Sequence, residues 1–232
     1  MSLTSFTRSP KLLKGAFAVY DKDTPGGQPK SVLLFQFNPD SLKRTLADRA
    51  IQPEGRKSGG GKEDVFKVQG PPIETISLTI ELDAVDQLEQ PLTNANVAEN
   101  GLHPALATLE MLMYPSSLTA ARIEDLAKKG KVQIAGANLP LVLLVWGASR
   151  VVPVDITSFS VSEEAFDKNL NPIRAKVDIA LKVLTYMELG DKSLGRDAFI
   201  GYQKQKERLA SSHSPGFDDK DVRALLPGKK AS

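Results

Sequence analysis

The stretch that most constrains the fold is residues 173–188, in which apolar and polar side chains alternate. One face carries five apolar side chains and the other carries charged ones: Ala175, Val177, Ile179, Leu181 and Val183 against Lys176, Asp178 and Lys182. A period of two is typical of a β-strand with one buried face. About 14 residues at roughly 3.3 Å each span about 45 Å, well beyond the usual strand of about 5–6 residues. The stretch therefore predicts a strongly bent sheet or a barrel.

Other strand-like segments lie on either side of a helical middle part. They are bounded by turn-forming Gly, Pro, Asn and Asp, and they cover residues 14–20, 31–37, 41–50, 65–69, 73–83, 139–146 and 154–162. Between them, four apolar residues recur at helical spacing: Leu102, Leu106, Leu109 and Met113. Pro115 ends this helix, and residues 117–129 predict a weaker second one. The sequence predicts a mainly β fold of the α+β class with one main helix.

The last part of the chain differs from the rest. Phe199, Tyr202 and Leu209 form a narrow helical seam, and Pro and Gly recur beyond residue 211. We interpret residues 1–189 as one β domain with a helical insertion at about 100–138, and residues 190–232 as a docking helix with an extended tail. Because isolated helices of this length are marginal in water, the seam must dock on its own barrel, on a neighbouring subunit or on a baseplate partner. We favour a neighbour or a partner, because the stretch that follows at residues 211–232 is polar and extended.

The sequence excludes most kinds of catalytic, metal-binding and phosphate-binding site. The chain has no Cys, which excludes thiol catalysis and Cys-ligated zinc, and with only two His, His103 and His213, a multi-His metal site cannot be built within one chain. The glycine-rich residues 55–62 lack the first Gly and the final Ser/Thr of a phosphate-binding loop, and a strand follows them instead of a helix. No pair of carboxylates stands out as an acid–base pair. We therefore predict no catalytic residue, no metal and no cofactor.

Charge and hydropathy limit the partners in the same way. The net charge is +2 and aromatic residues make up 6% of the chain, so neither a basic face nor a stacking surface for nucleic acid is expected. No apolar run approaches the roughly 20 residues that span a bilayer, and the first residues lack the apolar core of a signal peptide. The sequence predicts a cytoplasmic protein that does not insert directly into a membrane.

Two segments carry a resemblance to a known family. Residues 33–44, LLFQFNPDSLKR, follow LKGAFAVY at residues 13–20, and the second segment is VVPVDITSFSVSEEAFDKNLNPIRAKVDIALKVLT at residues 151–185. In this order and at this separation they resemble the tube-domain family of contractile injection systems, in particular its baseplate adaptors between spike and inner tube. The resemblance covers most of residues 11–189.

The resemblance implies a bent antiparallel β-barrel of the phage-tail-tube type that assembles into homo-hexameric rings around a channel. The spike lies on one side of such a ring and inner tube subunits on the other, with baseplate and sheath components around them. The particle is released or membrane-anchored. Many family members continue into a LysM module, whereas only about 43 residues follow residue 189 here, without its strand–helix–helix–strand pattern. An inner tube subunit and, from another class, a small-ligand-binding β-barrel are the alternatives.

Several residues are candidates for turns or interfaces in such a ring. Asn38-Pro39 and Asn171-Pro172 form turns, each followed within a few residues by an arginine, Arg44 or Arg174. Trp146 ends residues 139–146, which are apolar on both faces, so it belongs either to the core or to a subunit interface. We expect residues 139–146 and 173–188 to lie near the protomer boundary, and we expect Phe199, Tyr202 and Leu209 to dock the helix.

Overall fold

A computed structural model describes residues 13–21, 25–49, 70–115 and 139–212, together with positions 117, 124 and 128. These residues form one seven-stranded antiparallel sheet with strand order β2-β1-β5-β6-β7-β4-β3. The strands are β1 (Ala16–Tyr20), β2 (Ser31–Leu34), β3 (Leu42–Ala47), β4 (Ile73–Asp83), β5 (Leu141–Val145), β6 (Val151–Phe166) and β7 (Pro172–Val183).

The helices are α1 (Val85–Leu88), α2 (Ala95–Asn100), α3 (His103–Glu110) and α4 (Leu194–Ser212). α3 is the predicted main helix, with Pro104 in its first turn and Leu106 and Leu109 buried. It is tied to the sheet by the Leu102 amide, which donates to the Pro172 carbonyl (2.9 Å). The mainly β architecture with a few helices is therefore confirmed.

The alternating segments form the strands that the pattern predicts. β4 has the predicted bounds, and its Ile76, Leu78 and Ile80 are buried. β7 begins one residue earlier than predicted and ends at Val183, because Thr185 and Glu188 close a turn directly after it. β6 is the longest strand, with 16 residues and a register shift between Ile156 and Ser158. The inner faces of β4, β6 and β7 form one apolar core with α3 and with residues of β1 and β5.

The sheet differs from the predicted closed barrel. Among the described residues β2 and β3 are the two ends of the strand order and do not pair with each other, so the sheet is open. β5 and β7 each pair with a strand on both sides. Both strands therefore lie at central positions in the sheet of one protomer. That they lie near the protomer boundary stays a prediction.

α4 packs against the protomer's own sheet. Phe199 and Tyr202 are 6% and 5% exposed and belong to the common core, and α4 contacts β6. For these two residues the expectation of docking on a neighbour is wrong, because the narrow seam finds its apolar surface inside the same protomer. Leu209 is half exposed. The predicted strand at 65–69, the loop at 52–63, most of the helix at 117–129 and the tail beyond residue 212 lie outside the described residues.

Candidate functional site

The surface best suited to a role in assembly is the outer face of the strands β6-β7-β4-β3. Strand register places small polar and charged side chains side by side on this face. Its uncharged members are Ser158, Ser160, Ser162, Ala180, Thr75, Ser77, Thr79 and Thr45. Its charged members are five acidic and four basic residues, Glu81, Asp83, Asp155, Glu164, Asp178, Lys43, Arg174, Lys176 and Lys182. The result is a largely polar surface with nearly balanced charge, which the exposed Phe37 borders beside Glu81 and Lys176.

Two unpaired strand edges flank this polar face. β3 pairs only with β4, so its other edge has no partner among the described residues. β6 pairs with β7 along its length, and among the described residues it pairs with β5 only at residues 151–154. The edge of β6 that faces β5 therefore has no described partner strand from residue 155 to residue 166. Unpaired N–H and C=O groups on such edges are templates for pairing with another chain. The four strands thus end on both sides in edges that can accept a further strand.

A buried carboxylate anchors the edge strand β3. Glu74 of β4 has a 4% exposed side chain and accepts hydrogen bonds from Arg44 Nε (2.7 Å), Tyr202 Oη (2.9 Å) and Lys206 Nζ (2.8 Å). Lys206 also lies 4.0 Å from the centre of the Tyr202 ring. Because Arg44 belongs to β3 and Tyr202 and Lys206 to α4, one carboxylate joins three elements.

The charge state of Glu74 follows from these contacts. Burial alone raises its pKa, but the hydrogen bonds from Lys206, Arg44 and Tyr202 outweigh burial and hold the pKa below its ordinary value. Burial lowers the pKa of Arg44, and the bond to Glu74 overcomes this effect and raises it. The Glu74 carboxylate is therefore held in its charged form, and it faces two basic side chains, Arg44 and Lys206.

The first candidate turn, Asn38-Pro39, connects the two halves of the sheet. Asn38 Oδ1 accepts from the Gly15 amide (2.9 Å) and Asn38 Nδ2 donates to the Leu13 carbonyl (3.0 Å). Two residues earlier, Gln36 Nε2 donates to the Asp83 carbonyl (2.6 Å) and Gln36 Oε1 accepts from the Asp83 amide (2.9 Å). The Asn38 side chain thus bonds to the backbone just before β1, and the Gln36 side chain bonds to the backbone at the end of β4. In both places a side-chain amide takes the position that a paired strand would have.

The second candidate turn, Asn171-Pro172, closes the β6–β7 hairpin. Asp167 Oδ1 accepts from the backbone amides of Asn169 (2.7 Å) and Asn171 (2.8 Å), and Asn171 Nδ2 donates to Asp167 Oδ2 and to the Glu99 carbonyl. The Asn171 side chain and then the backbone amides lower the pKa of Asp167. Leu170 is held at a φ of 65° and is 77% exposed. The tip is thus fixed by hydrogen bonds while it presents an apolar side chain.

The remaining candidates divide between the core and the surface. Arg174 Nε donates to Asp83 Oδ2 (2.8 Å) on the polar face. Trp146 is half buried, its ring lies 6.2 Å from that of Phe35, and a Cβ on Gly15 would come within 2.7 Å of it. Its described contacts are therefore with the core of its own protomer.

Sequence reasoning missed Glu74 and Gln36. Glu74 shares the parity of Ile76, Leu78 and Ile80, so a charged residue on an otherwise apolar strand face is a signal that could have revealed it. Gln36 offers no comparable signal, because its partner Asp83 lies 47 residues away in the sequence. Among the described residues there is no group of three His, Cys, Asp or Glu able to hold a metal ion, and no helix there is long and apolar enough to cross a membrane.

Comparison with known families agrees with this arrangement. Residues 11–188 match the family described as contractile injection system tube protein. The chain belongs to this family. The match covers all seven strands and α1–α3 and ends before α4. No curated protein matches the chain. Membership makes the chain a tube-related structural component of a contractile injection system, which confirms the coarser part of the resemblance drawn from the two sequence segments.

Proposed function

We propose that this contractile injection system tube protein is a non-enzymatic subunit that forms a homo-hexameric ring. The observation that carries the proposal is the pair of open edges, on β3 and on residues 155–166 of β6, at opposite sides of a four-stranded unit with one polar face. In the ring, β3 of one protomer pairs with β6 of the next. The opposite face of each unit is already buried in its own core, so the polar face becomes the wall of the channel.

The dimensions of such a ring follow from strand geometry. Six copies with four strands each give a wall of about 24 strands. At roughly 4.8 Å between strands and a tilt of about 40°, the backbone wall has a diameter of roughly 48 Å. An antiparallel unit of four strands can repeat around the ring, because β3 and the following β6 then run in opposite directions. Closure also pairs the open edge of β3 and the open edge of β6 residues 155–166 in every protomer.

Within the particle, we place this ring at the baseplate as the adaptor between the spike and the inner tube. Its partners there are the spike protein, inner tube subunits, and other baseplate and sheath components. The insertion at residues 116–138 and the region beyond residue 189, which the family match does not include, favour this placement over the second candidate, an inner tube subunit. The family match itself fits both candidates. The open sheet does not favour a small-ligand-binding barrel, because such a protein needs a closed interior.

The test is electron microscopy and native mass spectrometry of the full chain, alone and mixed with spike and tube subunits. An adaptor is expected to form single six-membered rings that cap the spike and receive the tube. Extended polymers of this chain alone would favour the tube subunit. A strictly monomeric protein that binds neither spike nor tube would refute the proposed function.

A further inference from the structure

The position of β5 restricts where a neighbouring β3 can bind on β6. Within one protomer, Thr45 lies level with Thr75, Lys182 and Asp155 along the hydrogen-bonding direction of the sheet. If a neighbour paired at the same level, its Leu46 would fall opposite Val154, which β5 already occupies through Val142. The neighbour's β3 must therefore be displaced along β6 toward the β6–β7 turn.

Sheet geometry further limits the registers in which β3 of a neighbour can pair with β6. Side chains alternate between faces, and the register shift between Ile156 and Ser158 adds one residue to β6. Beyond this shift, Thr45 stays on the polar face only when it lies opposite an even-numbered residue of β6. The register shift between Ile156 and Ser158 interrupts the strand, and β6 ends at Phe166. If all six residues of β3 pair between these limits, two registers remain. In the first, Thr45 lies opposite Ser160, and in the second it lies opposite Ser162.

The two registers differ in the charges that they bring together. The first places Lys43 opposite Ser162 and the half-buried Leu42 opposite Glu163. The second places Lys43 opposite Glu164, Arg44 opposite Glu163, and Leu46 opposite Val161. Opposite charges and apolar pairs directly across two strands are stabilising.

The charged residues of the second register are free to form these ion pairs between two copies of the chain. Lys43 and Glu163 are exposed and form no ion pair with any described residue, and the Lys176–Glu164 distance is 3.8 Å. Arg44 binds Glu74 through Nε, so its terminal N–H groups remain for a second carboxylate, and the cluster around Glu74 holds one cation in surplus.

From this charge pairing we infer that β3 of one copy of this chain docks on β6 of a second copy in the register that sets Thr45 opposite Ser162. The inference rests on the proposed ring and adds its register, which is specified by the basic pair Lys43-Arg44 on one edge and the acidic pair Glu163-Glu164 on the other. The acidic pair lies beyond the segment of β6 that β5 covers, so it is the part of the edge that a neighbour can reach.

The chain has no cysteine, so disulfide mapping in the full-length protein is unambiguous. Directly opposed residues in an antiparallel pair have Cβ atoms about 4.5–5.5 Å apart, whereas diagonal neighbours lie about 7–8 Å apart, and a disulfide needs about 3.5–4.5 Å. The double variant Thr45→Cys/Ser162→Cys is expected to give, under mild oxidation, a ladder of covalent oligomers that ends at the closed ring. Thr45→Cys/Ser160→Cys is the matched control for the other register, and it should cross-link much less.

Charge reversal provides a second measurement that leaves the core untouched. Lys43→Glu is expected to raise the protein concentration needed for ring formation severalfold, and Glu164→Lys in the same chain is expected to restore it. Preferential cross-linking of the Ser160 pair, or rings that cross-link through neither pair, would overturn the inferred register while the ring itself stands. If native mass spectrometry of the unmodified chain shows no ring, the proposed function fails and the register fails with it.

Discussion

Replacing Glu74 by Gln removes the single negative charge to which Arg44, Tyr202 and Lys206 all donate. Removing one partner of a buried ion pair costs about 3–5 kcal/mol, because the other charge stays buried without compensation. The Arg44 side chain is 29% exposed and recovers part of its hydration, which places the expected loss near the lower limit, at about 3 kcal/mol. Lys206 is 41% exposed, so solvent screens its share, and Lys206→Met is expected to cost less than about 1 kcal/mol.

The Tyr202 hydroxyl has an intermediate role. A hydrogen bond to a charged acceptor contributes about 1.5–3 kcal/mol, and Tyr202→Phe keeps the ring that packs in the core. We therefore expect the free energy of unfolding to fall most for Glu74→Gln, less for Tyr202→Phe and least for Lys206→Met. Because Glu74 and Tyr202 share one network, their double variant should lose less than the sum of the single losses.

Urea unfolding followed by far-ultraviolet circular dichroism measures these differences, provided that the slope with urea stays constant across the variants. A loss of less than about 1 kcal/mol for Glu74→Gln, or a loss for Lys206→Met as large as that for Glu74→Gln, would contradict a buried, charged Glu74. Either result would mean that the carboxylate is solvated and does not tie α4 and β3 to the sheet.

Three further outcomes are expected. Phe199→Ala should destabilise the protein by about 3–5 kcal/mol in thermal unfolding, whereas Leu209→Ala on the same helix should change stability by less than about 0.5 kcal/mol; equal effects would contradict the assignment of Phe199 to the core. Hydrogen bonds from Thr185 and Arg49 outweigh burial and lower the pKa of Glu188 to about 2. The ionised Glu188 carboxylate therefore contributes roughly 2–4 kcal/mol to the free energy of unfolding above pH 5, and this contribution is lost as the pH falls toward 2. Glu188→Gln should flatten the dependence of the free energy of unfolding on pH in that range. Gln36→Glu sets a carboxylate against the Asp83 carbonyl and should cost about 1–3 kcal/mol, while Gln90→Glu at an exposed position should be neutral in the same urea titration.

Local patterns predicted the strands and the main helix because each depends on neighbours in the sequence. The uninterrupted alternation of residues 73–83 defined β4 to the residue, and the spacing of Leu102, Leu106 and Leu109 defined α3. Closure of the sheet could not be predicted in this way, because it depends on which edges remain unpaired after folding.

The contacts that organise the candidate site are also of long range. Tyr202 and Glu74 are 128 residues apart, and Arg44 and Glu74 are 30 apart. The turns at Asn38 and Asn171 were recognisable from Asn-Pro alone. Their partners, the backbone of residues 13–15 and of Glu99, were not, because an amide side chain can bond to any nearby peptide group.

The charges on the two open edges also matter before any ring exists. A newly made protomer exposes both edges, and the most damaging encounters are between identical edges, which give two-fold dimers that cannot grow into a ring. Two β3 strands paired antiparallel about Lys43 and Arg44 set these cations against the same residues of the other chain, and two β6 edges paired about Glu163 and Glu164 set these anions together. Like charges repel in both dead-end dimers, so these contacts disfavour identical edges and favour the pairing of unlike edges on which the proposed ring depends.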